Sequence, residues 1–166
     1  VTESPDVASF VRQAKAEFRQ AQAGLLRALR STAEDRLGWS PSPSARSPIE
    51  IGAHAAIAVE AMLGNLDDSP FPLPAPADAD AWFREEERRY ATLELVAQLL
   101  ETNGAAYENW LDALDEPRLS ADIALPFGMG SCPRRVAIGF MPMHLNWHTA
   151  QIEYIQTIYG DRDTHF

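Results

Sequence analysis

Two histidines stand four residues apart in the segment HLNWHTAQIEYIQTIYG, His144 and His148, in a chain of 166 residues that has four histidines in all. Side chains at i and i+4 of an α-helix leave one face with Cβ atoms about 5–6 Å apart, so both rings can reach one ion at about 2.0–2.1 Å. A third imidazole, His54, sits in the small-residue segment GAHAAIAVEA. Three imidazoles on one divalent ion leave positions open for solvent or substrate, as catalytic rather than structural sites do. Zinc, nickel and iron suit such donors, as does copper, and affinity order alone does not choose among them. The chemistry within reach is activation of a nucleophile at neutral pH. Leu145 follows His144, so the general-base glutamate of an HExxH protease is absent.

Helices must carry these rings. Val7, Phe10, Val11, Ala14, Phe18, Ala21, Leu25 and Leu29 recur at helical spacing and predict a first amphipathic helix over 6–31. The segment GWSPSPSARSP, Gly38–Pro48, breaks that pattern and predicts a loop. Ser47 can cap a second helix, with Pro48 in its first turn and Glu50 completing a capping box, and this helix runs to about Met62 or Leu63. His54 is the one strongly polar member of its apolar stripe Ile51, His54, Ala55, Ala58, Met62. The acidic, proline-rich stretch NLDDSPFPLPAPADAD needs no regular structure.

Trp82, Phe83, Tyr90, Leu93, Ala97, Leu100, Tyr107, Leu111 and Leu114 predict one long third helix from about Asp80 to Leu114, which Gly104 could bend or break. Its charge run Arg84–Arg89, REEERR, reads as a solvated face without a catalytic role. Residues Arg118–Pro133 predict a short strand or hairpin, and a fourth helix then runs from Pro133 or Arg134 to Tyr159. Pro142 should kink this helix or mark its real start. Its inward stripe is Ala137, Met141, His144, His148, Ile152, Ile155, Tyr159. All three imidazoles thus occupy core positions, where each ring nitrogen needs a partner. Either each bonds separately to a carbonyl or carboxylate, or all three share a metal; spacing does not show that the two helices meet.

Other residues carry two readings each. Glu50 orients His54 or closes the capping box with Ser47. Gln151, one turn after His148, bonds to a metal-bound water or to another helix. Trp147, Tyr107, Phe127 and Met129 line an access pocket or pack in the core. Cys132 is read as structural and His165 as exposed and silent.

With 46% hydrophobic residues and no internal repeat, the chain predicts a single all-α domain over 1–166 with a core of its own. A formal net charge of -10 opposes binding to nucleic-acid phosphates or anionic lipid. One cysteine excludes an internal disulfide framework and a thiolate zinc cluster. No stretch is read as long enough to span a bilayer and no secretory signal is seen, so the expected location is the cytoplasm.

The segments SPIEIGAHAAIAVEAML and LPFGMGSCPRRVAIGFMPMHLNWHTAQIEYIQTIYGD, with the preceding GW and proline-containing loop, resemble the DinB/YfiT-like family of four-helix proteins. That resemblance implies an up-down-down-up four-helix bundle and one divalent metal on His54, His144 and His148, with solvent in the remaining positions. Ala150 departs from a glycine that often precedes the glutamine, here Gln151. The resemblance further implies a homodimer and a small-molecule substrate, and the family includes metal-dependent enzymes that use low-molecular-weight thiols. The leading expectation is transfer of such a thiol to an electrophile. Hydrolysis of a small ester or amide, and non-catalytic metal or ligand binding by a dimer, are the alternatives.

Overall fold

The computed structural model describes residues 5–71, 75–163 and 165. Its helices are α1 (Pro5–Ser31), α2 (Pro48–Leu66), α3 (Pro76–Glu87), α4 (Leu93–Asp112), α5 (Glu116–Ser120), α6 (Arg134–Ile138) and α7 (Phe140–Ile158). Strands β1 (Asp122–Ala124) and β2 (Ser131–Pro133) form the predicted hairpin, antiparallel with Ile123 opposite Cys132. Residues 72–74 of the proline-rich connection lie outside the described residues.

Four helices, α1, α2, α4 and α7, make the bundle, and individual contacts fix their directions. Lys15 pairs with Asp112, Arg19 with Glu108, and Gln22 donates to the Leu100 carbonyl, so α1 and α4 are antiparallel. Ala21 of α1 shares a cavity wall with Met143 at the start of α7, and further along both helices Gln156 donates to the Ala28 carbonyl and Thr32 Oγ1. These two helices are therefore parallel. Asn103 donates to the Ala56 carbonyl and Trp110 to Asp67, which makes α2 and α4 parallel. His54 meets His148 while Leu66, later on α2, shares a cavity wall with Ala137 ahead of α7, so α2 and α7 are antiparallel. The result is up-down-down-up.

Between the helices, Phe18, Leu25, Leu29, Leu100, Tyr107, Leu111, Met141 and Leu145 are fully buried. Burial of each such apolar side chain contributes about 1.5–3 kcal/mol. The α2 start is the capping box read from sequence: Ser47 Oγ accepts from Glu50 N while Glu50 Oε2 accepts from Ser47 N at 2.7 Å. Small residues let α1 and α4 close on α2, since a Cβ on Gly52 would come within 2.7 Å of Leu29 Cδ1 and 3.2 Å of Val96 Cγ1. Gly52→Val is expected to lower unfolding stability by about 1–3 kcal/mol through overpacking, read by urea denaturation.

Three expectations need correction. The long third helix is two helices: Thr92 caps α4 by accepting from Leu95 N, and Tyr90 N donates back to the Glu87 carbonyl, ending α3. Gly104 lies unbroken inside α4, where it makes room for Phe18 and Gln22 of α1. The fourth helix is likewise α6 and α7, separated at Gly139, with Pro142 in the first turn of α7 where its missing N–H costs nothing. Finally, α2 is long and apolar enough to cross a membrane by length and composition, contrary to the reading that no stretch is. More than half of it is buried among the other helices, which accounts for its apolar character without a bilayer.

Candidate metal centre

The antiparallel crossing of α2 and α7 brings the three imidazoles together. From the His54 ring the centroids of His144 and His148 lie 5.5 and 4.8 Å away, and those two are 4.4 Å apart. One ligand nitrogen from each ring lies within 4.8 Å of the others. The Nε2 atoms of His144 and His148 are 3.1 Å apart. Two nitrogens on one ion at about 2.0–2.1 Å would be so separated at a bond angle of about 100°, so this pair fits a shared ion.

Hydrogen bonds behind the rings set their tautomers. His148 Nδ1 donates to Gln151 Oε1 at 2.8 Å, and His54 Nδ1 donates to Glu87 Oε1 at 3.1 Å. Each ring therefore keeps its Nε2 lone pair for the cluster. Glu87 in turn receives Arg46 Nε on both carboxylate oxygens at 2.9 Å, and Arg46 also pairs with Asp80. A buried ion pair thus stands behind His54.

Burial, followed by the neighbouring rings His148 and His54, pushes His144 down to about 3. Burial and then His54 push His148 down to about 4, against the Gln151 hydrogen bond. Both are neutral at pH 7, the form that offers a lone pair. Burial alone would raise the Glu87 carboxyl, but the hydrogen bonds from His54 and Arg46 outweigh it and hold the group below its ordinary value.

These shifts give a sign for acid stability. Between the ordinary histidine value of about 6.5 and the folded values, the unfolded chain binds more protons, so folding weakens as pH falls through that window. Chelator-treated protein is expected to show a falling Tm from pH 6.5 towards 4, and the His144→Gln/His148→Gln variant a shallower fall over the same range. Thermal melts in matched buffers read the difference.

Gln151 bonds to His148 Nδ1 one turn earlier on its own helix, which is neither the metal-bound water nor the other helix expected of it. Glu50 does not reach His54: its carboxylate is held by Ser47 N and Oγ, and the residue behind His54 is Glu87. Charge pattern alone does not single out Glu87, which lies in the run expected to be solvated, yet it is only 3% exposed. The available signal was the stripe Ala79, Phe83, Glu87 at four-residue steps, all buried on the face that α3 turns to α2. Tyr107 is core, with its hydroxyl donating to the Ile138 carbonyl. Phe127 shares a cavity wall with His54, and Trp147 and Met129 share another with His144. Cys132 is half-buried in β2. His165 is not free in solvent but bonds to Asp161 at 3.1 Å.

The DinB superfamily model matches residues 17–152, a span that holds all three histidines. Among solved structures, YfiT from Bacillus subtilis, described as a probable metal-dependent hydrolase with an unusual four-helix bundle topology, superposes with TM-score 0.70 at 15% identity, covering 96% of this chain and 91% of its own. A conserved protein from Enterococcus faecalis gives TM-score 0.67 at 16% identity over 96% and 99%. A mycothiol-dependent maleylpyruvate isomerase gives 0.65 at 14% identity, over 86% of this chain and 60% of that one. Comparison with curated proteins finds no match.

Proposed function

The chain belongs to the DinB superfamily, and from that premise we propose that it is a metal-dependent enzyme that transfers a low-molecular-weight thiol to an electrophilic small molecule. The observation that carries the proposal is the convergence of three imidazoles, two of them held by Glu87 and Gln151 in the tautomer that faces the cluster. A divalent ion on His54, His144 and His148 would supply the Lewis acidity that turns a thiol into a thiolate near neutral pH. The protein's own part is to keep His144 and His148 neutral, fix the tautomers of His54 and His148 and wall the site with apolar side chains. In the net reaction a sulfur–carbon bond forms, the electrophile's leaving group departs with its electron pair, and the thiol proton passes to solvent.

Hydrolysis of a small ester or amide is the second reading, supported by the description of YfiT. Water attack benefits from a free general base, and the carboxylates beside the site are engaged: Glu87 by Arg46 and His54, Asp80 by Arg46 and Arg84. Thiol transfer depends less on such a base, which favours the first reading.

Zinc-, nickel- or iron-loaded protein is expected to consume thiol and electrophile together, at least about tenfold faster than its His144→Ala/His148→Ala variant. Loss of electrophile with no thiol present would move the assignment to hydrolysis. If a panel of thiols, electrophiles and esters gave no histidine-dependent turnover, a binding protein would replace both.

A further inference from the structure

We propose that the cavity on the His144 side of the cluster binds an uncharged, predominantly apolar small molecule, with its reacting end directed at the histidines. This substrate assignment rests on the metal-enzyme reading only for that direction; the cavity's chemistry is independent of it.

The cavity measures about 380 Å³ and is walled by Met62, Leu66, Ile123, Phe140, Met143 and Trp147 among others, with His144 at one edge. A neighbouring cavity of about 330 Å³ shares His144, Met62, Phe71 and Pro126 with it and extends past Phe83 to His54. Each lies within the size range of small-ligand sites, about 300–1,000 Å³. Among the described residues, no lysine or arginine lines either. In the first, Asn65 Nδ2 donates to the Ala124 carbonyl, and among the described residues His144 is the one ionisable group on the wall. Asp80, in the second, is held by Arg46 and Arg84.

Against the apolar wall away from His144 a carboxylate, phosphate or sugar would lose more water than the few polar groups there replace, whereas an alkyl or aryl group would exchange water for close contacts. A hydrophilic thiol of the sugar or peptide type is therefore disfavoured as occupant. The occupant is the thiol's acceptor, or the acyl group in a hydrolysis.

The hairpin connection shows that this wall is built rather than left over. Phe127 adopts the left-handed conformation, φ 58°, and Gly128 and Gly130 after it stand at 71° and 93°. Its ring meets Phe71 edge-on at 5.2 Å. A non-glycine residue in that region is uncommon, and such strain persists where surrounding structure demands it. Here the turn carries Leu125, Pro126 and Met129 over the cavity.

The test uses N-phenyl-1-naphthylamine, an uncharged apolar fluorophore, titrated into metal-free and zinc-loaded protein. Saturable binding to both is expected, weakened at least about tenfold by Leu125→Asp and by Met129→Asp, the latter on a side chain 64% exposed and so tolerant of the change. Circular dichroism and zinc content of the two variants should match the parent. In zinc-loaded protein octanohydroxamate should bind at least about tenfold more tightly than acetohydroxamate, with the gain lost in the same variants. Probe binding without a zinc-dependent hydroxamate effect would leave the cavity assignment standing and remove the metal reading. Absence of saturable probe binding, or binding indifferent to both folded variants, would overturn the proposal. So would light scattering showing that Met129→Asp dissociates a dimer to which the probe never bound, which would make this face a contact between copies.

Discussion

Purified protein is expected to carry about one equivalent of a divalent metal per chain, and both His54→Ala and His144→Ala/His148→Ala are expected to lose it. The two variants test different elements. His54 stands on α2 and the pair on α7, so joint loss shows one ion bridging two helices, whereas metal kept by His54→Ala would reduce the site to a two-point chelate on α7. The expected drop in affinity is at least about 100-fold for the double variant, since the closest pair of ligand nitrogens is removed, and at least about tenfold for the single one. Elemental analysis after dialysis gives the stoichiometry, and competition with a chromogenic chelator gives the affinity. Addition of metal should raise the Tm of the parent chain and leave that of the double variant unchanged, because binding to the native state alone stabilises it by linkage. A parent protein that takes up no zinc, nickel or iron would leave three packed histidines, and the proposed enzymatic reading would fall with the site.

The histidine cluster was partly legible in the sequence because its members violate a pattern. His54, His144 and His148 each interrupt an otherwise apolar helical stripe, and such an interruption shows at single-helix resolution. The start of α2 was equally plain, because Ser47, Pro48 and Glu50 act within one turn. What a single helix cannot show is which helix it crosses, so whether His54 meets the α7 pair waited on the fold. The break between α3 and α4 was hidden for a related reason. Apolar residues continue at helical spacing through Tyr90 and Leu93, and only tertiary packing reveals that α3 lies against Ile57 and Ala58 in a small cluster of its own. Reading one continuous helix there made Arg84–Arg89 look like a solvated ridge and concealed the carboxylate that turns inward from it.

That carboxylate supports the second large effect. Glu87→Ala is expected to cost about 2–3 kcal/mol of unfolding stability in metal-free protein, because it strands Arg46, whose side chain is 17% exposed, beside an emptied polar space. The value lies below that for a fully buried pair because Arg46 retains Asp80 and some solvent. Glu87→Gln keeps an oxygen to accept from His54 Nδ1 while removing the charge. If Glu87 serves the metal as well as the fold, Glu87→Gln should weaken metal binding by about tenfold and Glu87→Ala by more, since a ring released from its acceptor can turn or take the wrong tautomer. Adding Arg46→Gln to Glu87→Gln should recover stability by removing the stranded cation, yet restore none of the affinity. Urea unfolding of chelator-treated protein and metal competition read these two quantities separately. Stability lost with metal affinity unchanged in both Glu87 variants would make the pair a strut between α3 and the loop before α2. Affinity lost together with stability, and not recovered with it, requires that the carboxylate act through His54: a buried ion pair two bonds' reach from the cluster then sets how well the first ring presents its nitrogen.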